Sequence, residues 1–268
     1  MENPFVSVLF ITYNHVKYVR QSLESILIQK TTFPFQIIIG DDCSIDGTRD
    51  IISEIASKHP DKIILKNPDK NLGAARNFVQ LFEACVDSKA KYISYLEGDD
   101  YWTDEHKLQK QVDFMESNPD YSMCFAKAQI LKERKSEVIF HHLPESSTLY
   151  FKDIVFTHYI PTLTILFRNI GQLPDWYVKA KSGDRALAML LTTKGPAKFM
   201  DEFMGVYRVH EGGVTNTVKQ NENINDDAYY IFRHLLPHAS LNQKIILLYV
   251  IIKNRVANYF RKIGLMRK

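Results

Sequence analysis

The chain has 268 residues, 45% of them hydrophobic and 24% charged, with a formal net charge of +3. That length allows one large α/β domain or two small ones with a substantial core, and the composition excludes a disordered or fibrous chain. Residues 228–268 hold eight Lys/Arg and no Asp/Glu, leaving a body with 26 basic against 31 acidic residues. Such a body lacks the basic patch of a nucleic-acid binder, whereas a basic tail fits an anionic surface such as a membrane.

Cys43, Cys85 and Cys124 are odd in number and far apart, without CxxC spacing, which argues against a disulfide framework and against a zinc site and fits a reducing cytosol. The opening Met-Glu-Asn-Pro lacks the basic and long apolar segments of a signal peptide, so the mature chain is expected to begin near Met1.

In chain order, a β-rich run at Phe5–Ile11 is followed by Val16, Val19, Leu23 and Ile26 at helical spacing, then by a strand at Phe35–Gly40 and a helix carrying Ile51, Ile52 and Ile55. The alternation continues through Ile63–Leu65, a helix with Phe78, Leu81, Phe82 and Cys85, a strand at Tyr92–Leu96, and a helix with Leu108, Val112 and Met115. This βαβα order predicts an α/β fold with a mostly parallel sheet flanked by helices. The second half is less regular, with strands expected near Ser122–Leu131, Leu163–Phe167 and Lys198–Val209 and a helix over Asp184–Thr193.

Ligands of such sheets bind beyond the carboxyl ends of the strands. Those positions here are acidic: Asp41-Asp42 follow one strand and Glu97-Gly98-Asp99-Asp100 another. Clustered carboxylates suit Mn²⁺ or Mg²⁺, which bridge protein oxygens to substrate phosphates, although a solvated helix-capping turn has the same composition. In Asp41-Asp42-Cys43-Ser44-Ile45-Asp46-Gly47-Thr48, capping accounts for Asp46 and leaves Asp41 and Asp42 for ligand recognition. Arg76, in the first turn of the helix opened by Asn71-Leu72-Gly73, either faces a base or phosphates or is an ordinary surface charge.

Ser7-Val8-Leu9-Phe10-Ile11-Thr12-Tyr13-Asn14, the Asp41–Thr48 segment, Asn71-Leu72-Gly73 with Arg76-Asn77, and Glu97-Gly98-Asp99-Asp100-Tyr101-Trp102 resemble, in order and spacing, the blocks of family 2 glycosyltransferases. The resemblance covers residues 5–120 and extends more weakly through Ser182-Gly183-Asp184 and Tyr207–His210. It implies a GT-A type nucleotide-binding fold and an inverting transfer of one sugar from a nucleotide-diphosphate sugar, by preference a UDP-sugar, to a glycan or lipid-linked acceptor in surface-polysaccharide synthesis.

By the same resemblance, Ile11, Thr12, Tyr13 and Asp42 bind the base with Arg76 nearby, Asp99 contacts the ribose, and Asp100 holds Mn²⁺ or Mg²⁺ with His210 close to the metal or diphosphate. Glu97 stands where the family often has Asp. The implied layout is a catalytic domain over 1–218, with a nucleotide-sugar half at 1–120 and an acceptor half at 121–218, followed by C-terminal helices at 219–268.

A nucleotide diphosphate leaves readily once a divalent ion neutralises its developing charge, so one protein base for the acceptor hydroxyl suffices. Asp184 is the candidate: Ser182 reads as an N-cap, and the helix dipole keeps an Asp in the first turn ionised, with or without a catalytic role. Alternatives are a catalytically inactive nucleotide-sugar-binding protein of the same fold and a sugar-phosphate nucleotidylyltransferase. The latter needs a Gly-rich phosphate loop, and Ile11-Thr12-Tyr13-Asn14 has no glycine. Neither GxGxxG nor GK[ST] occurs. The several membrane spans and the QxxRW motif of processive synthases are likewise missing, and His141-His142 have no evident role.

In the tail, Leu241, Ile245, Leu248, Ile252, Val256, Tyr259 and Ile263 recur at helical spacing among basic residues. Such a helix over 240–268 either docks on its own protein or lies in an anionic membrane surface, which would make a cytoplasmic enzyme peripheral on the inner face of the cytoplasmic membrane.

Overall fold

In the computed structural model, which describes residues 3–132, 135–137, 146–156, 160–210 and 224–262, the pleat of the first strands sets the architecture. Along β1 (Val6–Thr12), Val6, Val8 and Phe10 enter one buried cluster and Leu9 the other; along β2 (Phe35–Asp41), Ile37 and Ile39 separate from Ile38 in the same way. Strands apolar on both sides belong in the middle of a helix-covered sheet. Helices α1 (Val19–Leu27), α2 (Thr48–Lys58) and α4 (Lys107–Ser117) cover one face, and α3 (Ala74–Asp87), the short α5 (Phe151–Phe156) and α6 (Gly183–Thr192) the other.

The remaining strands are β3 (Ile63–Leu65), β4 (Tyr92–Glu97), β5 (Tyr101–Trp102), β6 (Met123–Lys132), β7 (Lys135–Glu137), β8 (Thr148–Leu149), β9 (Leu166–Arg168) and β10 (Ala197–Val209). The described strands form one sheet in the order β3-β2-β1-β4-β9-β6-β10-β5, with β7 on β6 and β8 on β10. Strands β3, β2, β1 and β4 run parallel, as do β6 and β10, while β9 lies antiparallel between β4 and β6.

Local hydrogen bonds moved two predicted boundaries. Val16 lies ahead of α1 in a turn, where its N–H donates to Asp46 Oδ2 at 3.0 Å and the Tyr18 and Val19 N–H groups donate to His15 O at 2.9 Å each. The strand expected from Leu163 begins at Leu166, because Thr162–Thr164 form a 3₁₀ turn in which Pro161 O accepts from Thr164 N at 2.9 Å and Oγ1 at 2.8 Å.

Beyond residue 223, α7 (Ile224–Leu235) and α8 (Leu241–Lys262) share the core: Ala228, Ile231, Phe232, Leu235, Leu247, Val250 and Ile251 join the cluster that holds α3 and α6.

One fully buried cation lies beneath the strand ends. Lys107 Nζ donates to Ser94 Oγ (3.1 Å) and Gln111 Oε1 (2.8 Å) and sits 4.0 Å from the centroid of the Trp102 ring; burial pulls its ammonium down to about 7. The folded pKa is thus below the unfolded value, so between about 7 and about 10.4 the unfolded chain holds a proton that the folded chain has released. Stability from this group rises with pH across that window and is lost as pH falls through 7. Relative to Lys107→Met, the wild type should therefore gain stability from pH 7 to 10, with a slope approaching about 1.4 kcal/mol per pH unit. Urea unfolding of both proteins at successive pH values tests this, and parallel profiles would refute it.

Candidate active site

Register brings the carboxyl ends of three strands to one edge of the sheet, with Ile11 opposite both Gly40 and Glu97 and Thr12 opposite Asp41. A cavity of about 880 Å³ opens there. Ile11, Thr12, Tyr13, Asp42, Asp99, Asp100 and Asp184 all line it, so residues 173 positions apart meet in one space.

Arg76 is the exception among the residues expected at the donor. It is exposed and lines a separate groove of about 320 Å³ with Val79, Glu83 and Leu173. Helix geometry explains this: Phe78, Leu81, Phe82 and Cys85 turn toward the sheet, and at about 100° per residue Arg76 falls on the opposite side of α3.

The adjacent acids Asp41 and Asp42 divide their work. Asp41 is fully buried, its Oδ2 2.8 Å from Arg49 Nε and its Oδ1 accepting from Ser44 Oγ, so it braces the loop instead of awaiting a ligand. Asp42 faces the cavity, and its carboxylate accepts from the N–H groups of Leu72 (2.7 Å) and Gly73 (2.9 Å). Gly73 has φ +80°, a conformation that glycine adopts without a Cβ penalty. Lone pairs remain on Asp42 for a further donor such as a base N–H. Asp46, read as the N-cap of α2, lies one residue ahead of that position, which Gly47 holds with φ 95°, and its carboxylate accepts from Thr48 N at 3.0 Å from there.

The acidic turn after β4 closes onto β1 through Gly98, whose N–H donates to Ile11 O at 2.8 Å. A Cβ at that position would collide with the buried Thr12 side chain, so only glycine permits the approach. Beyond it Asp100, 1% exposed, accepts from Arg208 N at 2.8 Å through Oδ1, while its Oδ2 has no hydrogen-bond partner among the described residues. The Arg208 guanidinium donates to the Asp99 carbonyl and lies 4.4 Å from the Tyr101 ring centroid.

His210 and Asp100, expected to serve one metal, fall into different groups. His210 Nε2 is 3.0 Å from Asp99 Oδ2, and His15 Nε2 is 3.7 Å from the same oxygen. Possible ligand atoms of His15, Asp99 and His210 lie within 4.8 Å of one another, as do those of Glu97, Asp99 and Asp100, so Asp99 is common to both sets. The reading of Asp99 as a ribose contact alone leaves out this position between the two.

Electrostatics in the two sets favour a cation. Burial, together with the charges of Asp99 and Asp184, pushes Glu97 up to about 7, against a 2.7 Å hydrogen bond from the Tyr95 hydroxyl. Burial, then Asp99 and Glu97, holds Asp100 well above the usual carboxylate range. His15 is lowered, chiefly by burial, toward the neutral imidazole that metals require. Buried carboxylates that disfavour one another's charge, beside a neutral imidazole and an unpartnered carboxylate oxygen, fit a hard divalent ion.

Across the cavity, Asp184 occupies the first turn of α6. Ser182 is at the N-cap but makes no side-chain capping bond; instead the carboxylate of Asp227, on α7, accepts from Lys181 N and Ser182 N at 2.8 Å each. Tyr177, stacked on Phe78 with centroids 5.6 Å apart, donates to Gly183 O at 2.9 Å. Asp227 thus anchors the two residues ahead of α6, the helix that carries Asp184. Losing both acceptors in Asp227→Ala should lower kcat at least about tenfold with donor Kd nearly unchanged, and Asp227→Asn should recover part of it by keeping one acceptor. Equal losses in kcat and donor affinity would assign Asp227 a general structural role.

His15 and Tyr18 escaped the sequence reading. His15 is one residue past the first motif block, and its place after a strand end was the available signal; the Tyr18 ring packs 4.8 Å from that of His210. His141-His142 and the Glu211-Gly212-Gly213 loop are outside the described residues.

A parallel-centred α/β sheet with an acidic, cation-compatible cavity at its strand ends is the architecture of a GT-A type fold. The profile of Glycosyl transferase family 2 matches residues 7–171, and the chain belongs to that family. The putative teichuronic acid biosynthesis glycosyltransferase TuaG of Bacillus subtilis (strain 168) is 30% identical over 223 residues, 82% of this chain and 83% of TuaG. WfaP of Escherichia coli, a UDP-Glc:alpha-D-GlcNAc-diphosphoundecaprenol beta-1,3-glucosyltransferase, is 30% identical over 212 residues, 78% of this chain and 79% of WfaP. The match to the uncharacterized protein Rv1520 of Mycobacterium tuberculosis, 31% identical over 78% of this chain, spans only 60% of that relative. Among solved structures, S. aureus TarS 1-349 in complex with UDP shares the fold at 18% identity, with a TM-score of 0.68 over 92% of this chain and 70% of that one. The mannosyltransferase PcManGT from Pyrobaculum calidifontis, in complex with GDP-Man and Mn²⁺, follows at 14% identity, with a TM-score of 0.58 over 99% and 84%. Family membership sets aside the nucleotidylyltransferase alternative.

Proposed function

We propose that the protein is an inverting glycosyltransferase that moves a single sugar from a nucleotide-diphosphate sugar, a UDP-sugar by preference, to a hydroxyl of a glycan or lipid-linked acceptor in surface-polysaccharide synthesis. The observation that carries the proposal is the meeting of Asp42, Asp99, Asp100 and Asp184 around one cavity. The donor class draws support from the UDP bound to TarS and the UDP-Glc in the name of WfaP; the acceptor class draws support from the diphosphoundecaprenol in the same name and from the teichuronic acid role of TuaG.

In this reading the β1 end (Ile11, Thr12, Tyr13) and Asp42 hold the nucleoside, and Asp42 accepts a base N–H. Asp99 and Asp100, with the flanking His15, His210 and Glu97, would hold Mn²⁺ or Mg²⁺, which when bound would neutralise the charge on the leaving diphosphate. Asp184 accepts the proton of the acceptor hydroxyl as its oxygen bonds to the anomeric carbon, and the bond from that carbon to the diphosphate oxygen breaks on the opposite face, inverting the centre. The residues given chemical roles all fall within 1–218, with the acceptor in the 121–218 half, while α7 and α8 complete the core beneath α6. A station on the inner face of the cytoplasmic membrane would bring the enzyme to a lipid-linked acceptor.

Incubation with a panel of UDP- and GDP-sugars plus Mn²⁺ tests the reading without an acceptor: slow release of the nucleotide diphosphate from one donor is expected. Calorimetric binding of a donor with no release from any would favour the inactive binding protein instead.

A further inference from the structure

Helix α8 (Leu241–Lys262) has two apolar faces, and the core uses only one. Leu247, Val250 and Ile251 are buried in the large cluster, whereas Leu241, Ile245, Leu248, Tyr249 and Ile252 are between 46% and 75% exposed. At about 100° per residue the two sets are centred on nearly opposite sides of the helix. The stripe of Leu241, Ile245, Leu248 and Ile252 is thus left in solvent while a different face docks. By the same helical geometry, Lys244 and Arg255 flank the open stripe on one side and Lys253 on the other. Scattered exposed apolar side chains are ordinary, but two leucines and two isoleucines in line on one helix, bordered by cations on both sides, make a patch that needs a partner.

We propose that this face is an in-plane membrane contact, with the apolar stripe at the acyl boundary and Lys244 and Lys253 at anionic headgroups, while Arg255 is held by the Tyr229 hydroxyl on α7. Charge selects this occupant: residues 228–268 carry eight Lys/Arg and no Asp/Glu, while the rest of the chain is net acidic. Spanning the bilayer is not the mode, since no helix among the described residues is long and apolar enough to cross one. No residue of α8 lines the cavity, so binding at this face is separable from the catalytic reading.

Truncation is a poor test, because Leu247, Val250 and Ile251 belong to the core. The test is co-sedimentation of the full chain with phosphatidylcholine vesicles, with and without phosphatidylglycerol, at low and high salt. A triple variant, Ile245→Ser, Leu248→Ser and Ile252→Ser, and a double variant, Lys244→Glu and Lys253→Glu, are run beside the wild type. The wild type should bind only the anionic vesicles, more weakly at high salt. Both variants should lose at least about tenfold in partitioning while keeping the wild-type Tm and donor hydrolysis. Undiminished binding by the triple variant, absence of binding at low salt, or a concentration-dependent dimer that the triple variant abolishes without any vesicle binding would each overturn the proposal; the last would give the face to a second copy.

Discussion

Asp184→Asn should reduce turnover by about 10²–10⁴-fold while donor affinity stays within about twofold. Asparagine fills the same space and keeps a carbonyl oxygen for the Arg185 N–H, which Asp184 Oδ1 now accepts at 2.8 Å. What it loses is the capacity to take a proton, and that capacity matters only as the acceptor oxygen bonds to carbon. A group that acts in the transition state alone leaves ground-state binding of the nucleotide unchanged. Donor Kd by calorimetry and the rate of nucleotide diphosphate release separate the possibilities. A collapse of affinity at unchanged rate would make Asp184 a binding residue and move the base elsewhere.

Removal of divalent ions should abolish turnover, and Asp100→Asn should do the same at any metal concentration the protein tolerates. The variant is informative because Asn keeps an acceptor for Arg208 N and so preserves the tie between the acidic turn and β10, while it removes the anionic oxygen that has no partner among the described residues. Mn²⁺ binding followed by electron paramagnetic resonance provides a readout independent of catalysis, with an expected weakening of at least about tenfold in Asp100→Asn and in Asp99→Asn. His210→Ala should weaken Mn²⁺ less, as the loss of one neutral ligand among several charged ones. Full activity in EDTA would refute the metal assignment altogether.

The strand-end acids were legible because the information is local: a strand is set by a short apolar run, and the residues just after that run lie at the carboxyl edge whatever the rest of the chain does. Ile11–Tyr13, Asp42, Asp99 and Asp100 could be placed on one rim from sequence for that reason, and the structure does bring them to one cavity. The difference between Asp41 and Asp42 was not legible. It depends on Arg49 reaching back from α2 to one of the pair, an outcome of side-chain geometry that no spacing encodes.

Taken alone, then, the sequence determined the α/β order, the acidic edge and the helix start at Asp184, since periods of 2 and 3.6 residues and strand-end positions are properties of short segments. Only the tertiary structure decided which groups meet across the fold. It turned Arg76 away from the cavity because its neighbours on α3 face the sheet, and it brought His15 and His210 to Asp99 although they are 195 positions apart. It also buried Lys107 against Trp102, held the start of α6 with Asp227 from α7, and chose Leu247, Val250 and Ile251 over the regular stripe beside them as the docked face of α8. The physical reason is the same in each case. Periodicity says that a residue has a side, but which side is covered depends on the shape of the neighbour that arrives there, and that neighbour comes from elsewhere in the chain.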